Sequence, residues 1–201
     1  MRILVIGSTG LVGSTFVRLL IPKLQPNTHL FILNRSKPQQ TYFQTLYNNI
    51  HITSLQGDAY EESTIFFFLK SIKPNVIFNI ANIRILPVLL RSLSFLPWHP
   101  DKLLVVGTTG VYSSNPQYSN IYKYCEDLLF SYPYPYVLLR PSMIYGDPSD
   151  FNISKLFHVA CKFNVLPKFS HAQHGFLQPV FFHDVAQALV NSFLDSTLPS
   201  G

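Results

Sequence analysis

The stretch that decides the fold is Met1-Arg-Ile-Leu-Val-Ile-Gly-Ser-Thr-Gly-Leu-Val-Gly13. Ile3 to Ile6 form an unbroken apolar run, the pattern of a strand buried on both faces in a parallel sheet. Gly7, Gly10 and Gly13 follow where that strand must turn sharply into a helix carrying Leu11, Val12, Phe16, Val17 and Leu20. In a turn of this kind the first glycine permits the bend and the second lets a diphosphate approach bare backbone. The third lets helix and strand pack closely. The helix start adds unpaired N–H groups, which suit phosphate. The spacing is G-x-x-G-x-x-G, one residue off the G-x-G-x-x-G fingerprint. Two readings follow: a nucleotide-binding turn contacted through Gly7, Thr9, Gly10, Leu11, Val12 and Gly13, or a merely structural strand–helix turn.

Beyond Gly13 the pattern repeats. Strand-like runs fall at Ile3–Ile6, His29–Leu33, Ile50–Leu55, Val76–Ile80, Leu103–Val106 and Tyr136–Leu139. Helix-like segments lie between them at Leu11–Leu24, Gln39–Asn48, Ser63–Ile72, Ile83–Leu96 and Ile121–Phe130. This alternation predicts an α/β, Rossmann-type doubly wound parallel sheet. After Pro141 the spacing changes. A helix is expected at Phe151–Phe163, a short strand at Leu177–Phe182, and a closing helix at Asp184–Leu194 with Asp184 as its cap. The expectation is one domain over residues 1–201, in which 142–201 is a small C-terminal extension forming a reduced substrate side.

The 201 residues suffice for one substantial α/β core and are short for two. At 47% hydrophobic and 12% charged, the chain is not composed like a disordered one. The net charge of +5 and a pI near 9.2 raise the question of nucleic acid. The Lys and Arg residues are scattered and form no recognition motif, so attraction of an anionic cofactor or substrate is the better reading. No apolar stretch approaches the ~18 residues of a membrane span, and Gly7 interrupts any signal-peptide core. Cys125 and Cys161 do not make a disulfide framework. The expected setting is therefore reducing and cytoplasmic, with no membrane and no nucleic acid.

Six pieces together carry a resemblance. Gly7-Ser-Thr-Gly-Leu-Val-Gly13, Gly57-Asp-Ala59 and Lys73-Pro-Asn-Val-Ile-Phe-Asn-Ile-Ala81 stand in one order with three others. These are Val106-Gly-Thr-Thr-Gly-Val-Tyr112, Leu139-Arg-Pro-Ser-Met-Ile-Tyr-Gly146 and Gln178-Pro-Val-Phe-Phe-His-Asp-Val-Ala186. Together they resemble the short-chain dehydrogenase/reductase superfamily, in its extended and atypical branch of NAD(P)-dependent epimerases and dehydratases. The resemblance implies a nicotinamide cofactor, hydride transfer at a carbonyl or alcohol carbon, and a small-molecule substrate of the nucleotide-sugar class. It also implies cofactor contacts at Asp58, Ala59, Ala81, Pro141 and Ile144, and a homodimer through the family's fourth and fifth helices. The apolar residues at 85, 86, 89, 90, 93 and 96 fit such a helix bundle, and core packing explains them equally.

The end of the second strand speaks to which dinucleotide. An acidic residue there would bind the adenosine ribose hydroxyls and repel a 2′-phosphate. Here Asn34 carries no charge, and Arg35 offers a planar fork suited to phosphate. NADP is expected in preference to NAD, the alternative being an ordinary solvated arginine.

The chemistry implied by the resemblance needs a tyrosine acid/base, a lysine one helical turn later, and a hydroxyl from the preceding strand end. Thr108 matches the hydroxyl and Tyr118 the tyrosine, but the position four after Tyr118 is Tyr122, and Lys123 comes one residue late. At 100° per residue, i+5 lies ~140° around the helix from i, so Lys123 could assist only from an irregular or π-bulged helix start. Otherwise it is a surface residue pairing with Asp127. The short stretch from Tyr112 to Tyr118 leaves little loop to cover a nucleotide sugar. The alternative function is therefore a non-catalytic NADP(H)-binding regulatory or partner-binding module with a degenerate Tyr–Lys site. His171 and His174, near His158 and His183, lack the ligands that would complete a metal site, so no metal is expected.

Overall fold

The computed structural model describes residues 1–35, 50–147, 153–164 and 178–195. Six strands form one all-parallel sheet: β1 (Arg2–Ile6), β2 (His29–Asn34), β3 (His51–Gln56), β4 (Val76–Asn79), β5 (Lys102–Val106) and β6 (Tyr136–Leu139). Their order is β3-β2-β1-β4-β5-β6. Alternate residues feed two cores, as the period of a strand dictates. Leu4, Ile6, Ile77, Leu103 and Val105 face α2 (Glu62–Ile72), α3 (Leu86–Ser94) and α4 (Pro116–Phe130). Ile3, Val5, Phe78, Leu104 and Val106 face the other layer, which joins α1 (Leu11–Leu20) to a C-terminal helix, Phe182–Leu194. Phe16 and Phe78 meet there with ring centroids 4.6 Å apart.

A second, two-stranded parallel sheet pairs β7 (Ile144–Tyr145) with β8 (Val180–Phe181) beyond the main one. Before β8 comes α5 (Ile153–Phe163), and after it α6, the helix Phe182–Leu194. No helix among the described residues is long and apolar enough to cross a membrane.

Local chemistry moves several boundaries from their expected places. Helix α1 ends at Leu20 and tightens into a 3-10 turn over Ile21–Lys23, because Pro22 has no N–H to continue the ladder. Helix α4 begins at Pro116, five residues before the expected start. Asn115 caps it, its Oδ1 accepting from Gln117 N at 3.0 Å. The segment Ile83–Leu96 splits into a 3-10 turn at Ile83–Ile85 and α3.

Asp184 is not a cap. Strand β8 runs straight into α6, Phe181 is the cap residue without a side-chain bond, and Asp184 lies in the first turn. There its charge favours the helix through the dipole instead. The expected strand Leu177–Phe182 reduces to Val180–Phe181 among the described residues. The expected helix Gln39–Asn48 lies outside them, as do His171 and His174.

Candidate functional site: the carboxyl edge of the sheet

The strand order reverses between β1 and β4, so their carboxyl ends open a crevice, the usual ligand position in such sheets. Gly7 leaves β1 at φ +92°, where a side chain is strained, and a Cβ there would lie 2.5 Å from Ala81 N. Gly13 is confined by packing instead. Its Cβ would stand 2.0 Å from Gly7 O. Gly10 differs from both, since a Cβ would meet only Gly7 O, at 3.7 Å. It is the cap residue of α1 and offers no side-chain bond to the first-turn N–H groups. Those groups border a cleft of about 330 Å³ lined by the three glycines, Leu11, Val12, Ile80 and Ile144. Thr9 is exposed beside it. Bare backbone, unpaired N–H groups and a strand switch fit the diphosphate of a dinucleotide.

The end of β2 is tied into this turn. Ser8 Oγ donates to Asn34 Oδ1 at 2.7 Å, and Asn34 Nδ2 donates to Ser54 Oγ on β3 at 3.3 Å. Asn34 O accepts from Gly57 N at 3.0 Å, which holds the Gly57-Asp58-Ala59 turn beside it. Asp58 Oδ1 then accepts from Tyr60 N at 3.0 Å, closing that turn. Arg35 is exposed at the strand's end.

On the far side of the switch, Thr108 caps the 3-10 turn Thr109–Tyr112. Its Oγ1 accepts from Gly110 N at 3.0 Å, so the hydroxyl proton is left to donate elsewhere. Thr109 N donates to Pro141 O at 3.1 Å, which joins this turn to the segment leading to Ile144. Arg140, one residue earlier, grips the buried Glu126 of α4 through two bonds of 2.8 and 3.0 Å. That hydrogen-bonded pairing pushes the guanidinium's pKa further up.

Helix α4 contains no π-turn, so Lys123 does not share Tyr118's face. Tyr118 is 54% exposed near the helix start, and Lys123 is exposed as well. The inward positions are Ser119, Tyr122, Cys125, Glu126 and Leu129. Among the described residues Lys123 forms no ion pair with Asp127.

No protein-family model and no curated protein matches the sequence. Solved structures do match in shape. A dTDP-glucose 4,6-dehydratase from Bacillus anthracis, in complex with NAD, aligns with a TM-score of 0.72 at 19% identity, over 100% of this chain and 73% of its own. A UDP-glucuronic acid 4-epimerase from Bacillus cereus with NAD gives 0.70 at 17% identity, over 96% and 72%. A UDP-glucose 4-epimerase from Thermotoga maritima with UDP-glucose gives 0.66 at 18%, over 96% and 74%. This chain shares the fold of these epimerases and dehydratases.

Within that fold, several side chains near the site carry no clear sequence signal. Tyr122 turns inward, its Cε2 3.0 Å from where a Gly110 Cβ would stand, and Thr108 Oγ1 lies 3.3 Å from the same point. The Arg84 guanidinium sits 5.5 Å from the Tyr122 ring centroid, within cation–π range. Burial pushes the pKa of the neighbouring Cys125 thiol up, against the opposing pull of Arg84. Ser8 and Ser54 are equally unmarked, because bonds spanning 26 and 20 residues leave no periodic trace.

Proposed function

We propose that this protein binds a nicotinamide dinucleotide along the carboxyl edge of its sheet, NADP(H) in preference to NAD(H). The glycine turn is the observation that carries the reading. Gly7 and Gly13 are each required by the backbone itself, whereas Gly10 has room for a side chain and faces the cleft. Gly7, Thr9, Gly10, Leu11, Val12 and Gly13 would hold the diphosphate. Asn34, Arg35, Asp58 and Ala59 would hold the adenosine end, and Ala81, Pro141 and Ile144 the nicotinamide end. Preference for a 2′-phosphate is supported by the exposed Arg35 beside an uncharged strand end.

As an enzyme it would be an epimerase- or reductase-like oxidoreductase acting on a small molecule of the nucleotide-sugar class. When bound, the cofactor supplies or accepts hydride at the nicotinamide ring. Thr108 would orient the reacting oxygen with the proton that its own capping bond leaves available. Tyr118 would exchange the oxygen's proton. Lys123 would take part only if the start of α4 rearranged on binding. A second reading is favoured by that same helix: a dinucleotide-binding module without turnover, in which Lys123 and Tyr118 on separate faces form no catalytic pair.

Two free thiols, Cys125 and Cys161, support a reducing compartment such as the cytoplasm. A homodimer would use the groove of about 540 Å³ between α3 and α4, lined by Leu90, Tyr124 and Leu128. Most of the α3 apolar residues are already buried in the protein's own core. Titration of NADP and NAD against the protein, by calorimetry or melting temperature, tests the central reading. The expected result is saturable binding, tighter for NADP, and roughly tenfold weaker in Gly10→Ala at unchanged ligand-free stability. Failure of either dinucleotide to bind at millimolar concentration overturns it. NADPH oxidation with a panel of carbonyl compounds, in wild type and Tyr118→Phe, then separates enzyme from module.

A further inference from the structure

A side-chain bond between the glycine turn and the end of β2 runs from Ser8, 3% exposed, to Asn34, 8% exposed. Its polarity matters. The Ser8 hydroxyl is the donor and the Asn34 carbonyl oxygen the acceptor, while the Asn34 amide nitrogen is used on Ser54. Both ends of the carboxamide are therefore engaged within the protein. In this kind of sheet the end of β2 is where a ribose hydroxyl seeks an acceptor. The Asn34 oxygen has two lone pairs, and with Ser8 occupying one of them at a buried position it has less to offer a ribose hydroxyl.

We propose that Ser8 is a selectivity-positioning residue, whose hydroxyl withdraws the Asn34 oxygen from the ribose and leaves Arg35 as the feature a dinucleotide meets. The inference rests on the dinucleotide reading above and adds a cause for the preference within it. A 2′-hydroxyl is a donor that gains from a vacant carbonyl oxygen, whereas a 2′-phosphate offers acceptors and is repelled by one. Removing the Ser8 hydroxyl therefore moves the two dinucleotides in opposite directions. A residue that merely stiffened the turn would weaken both alike.

The test measures dissociation constants for NADP and NAD by calorimetry in wild type, Ser8→Ala, Ser8→Cys and Ser54→Ala, with ligand-free melting temperatures alongside. In Ser8→Ala the ratio favouring NADP falls about fivefold, the scale of one neutral hydrogen bond. Ser8→Cys keeps the volume, weakens the donor and shifts the ratio the same way, which covers the case in which the alanine variant does not fold. Ser54→Ala removes the other partner of the amide and leaves the ratio unchanged. An unchanged ratio in a folded Ser8 variant overturns the proposal, as does an equal shift in Ser54→Ala, and in both cases dinucleotide binding itself stands. Absence of binding in wild type overturns the functional reading and this proposal together.

Discussion

Gly10 and Gly13 stand three residues apart in one turn, yet a methyl group added to each meets different surroundings. At Gly13 the added carbon would fall 2.0 Å from Gly7 O and 2.9 Å from Ser8 Cα, both backbone. Relief requires the helix to part from the strand, at a cost of about 3 kcal/mol on the scale of overpacked cores. Denaturant unfolding of Gly13→Ala should show that loss, while Gly10→Ala stays near the wild-type midpoint. The spacing of the three glycines already separates a bend, a ligand approach and a packing contact, and the turn's geometry agrees with that division. Arg140 makes a second residue-scale point. Its partner Glu126 is 4% exposed at the side chain, so Arg140→Met leaves a buried carboxylate without its cation. The expected loss is about 3 kcal/mol, and Arg140→Met with Glu126→Met recovers most of it. Equal instability of the single and double variants would show that the pair matters for packing instead.

Helix α4 decides more at the scale of elements than any other segment. Its inward stripe runs through Ser119, Tyr122, Cys125, Glu126 and Leu129, which places Lys123 in solvent. Lys123→Ala should therefore leave stability within about 0.5 kcal/mol of wild type and dinucleotide affinity within about twofold. Unfolding curves and calorimetry check both, and a large loss of affinity would mean that the helix start rearranges on binding. The early start of α4 is legible in its capping residues but not in its periodicity. Asn115-Pro116 is a cap followed by a proline at the first helical position, but Gln117, Ser119 and Asn120 give no apolar period. The strands are more legible. β1 and β4 are covered on both faces, so Ile3 to Ile6 and Val76 to Phe78 are all apolar, with the buried Asn79 as the exception at the carboxyl end of β4. Asp184 shows the opposite limit: a good capping residue two positions inside a helix whose entry is fixed by β8.

For the molecule as a whole, the end of the sheet opposite the cleft supplies a handle on stability. At the amino end of β2 the His29 ring stacks on Phe31 at 4.0 Å, and its Nε2 hydrogen-bonds Thr53 Oγ1 at 2.7 Å. His51 on β3 lies 5.8 Å from it, ring to ring. Burial first, and the neighbouring His51 second, hold the His29 pKa below its ordinary 6.5. The unfolded chain thus binds a proton that the folded one resists. The stabilising contribution is complete above pH ~6.5 and is lost as pH falls through the lower folded value. Because β2 and β3 are hydrogen-bonded along their whole length, loosening this corner acts on the global transition rather than on a frayed end. Wild-type melting temperature should fall between pH 7.5 and 5.5, and His29→Gln, which cannot take up the proton, should fall by less. Water screens the half-exposed ring, so the difference is small and needs low salt to be read clearly. Parallel melting curves for the two proteins across that interval would assign the acid sensitivity to other groups.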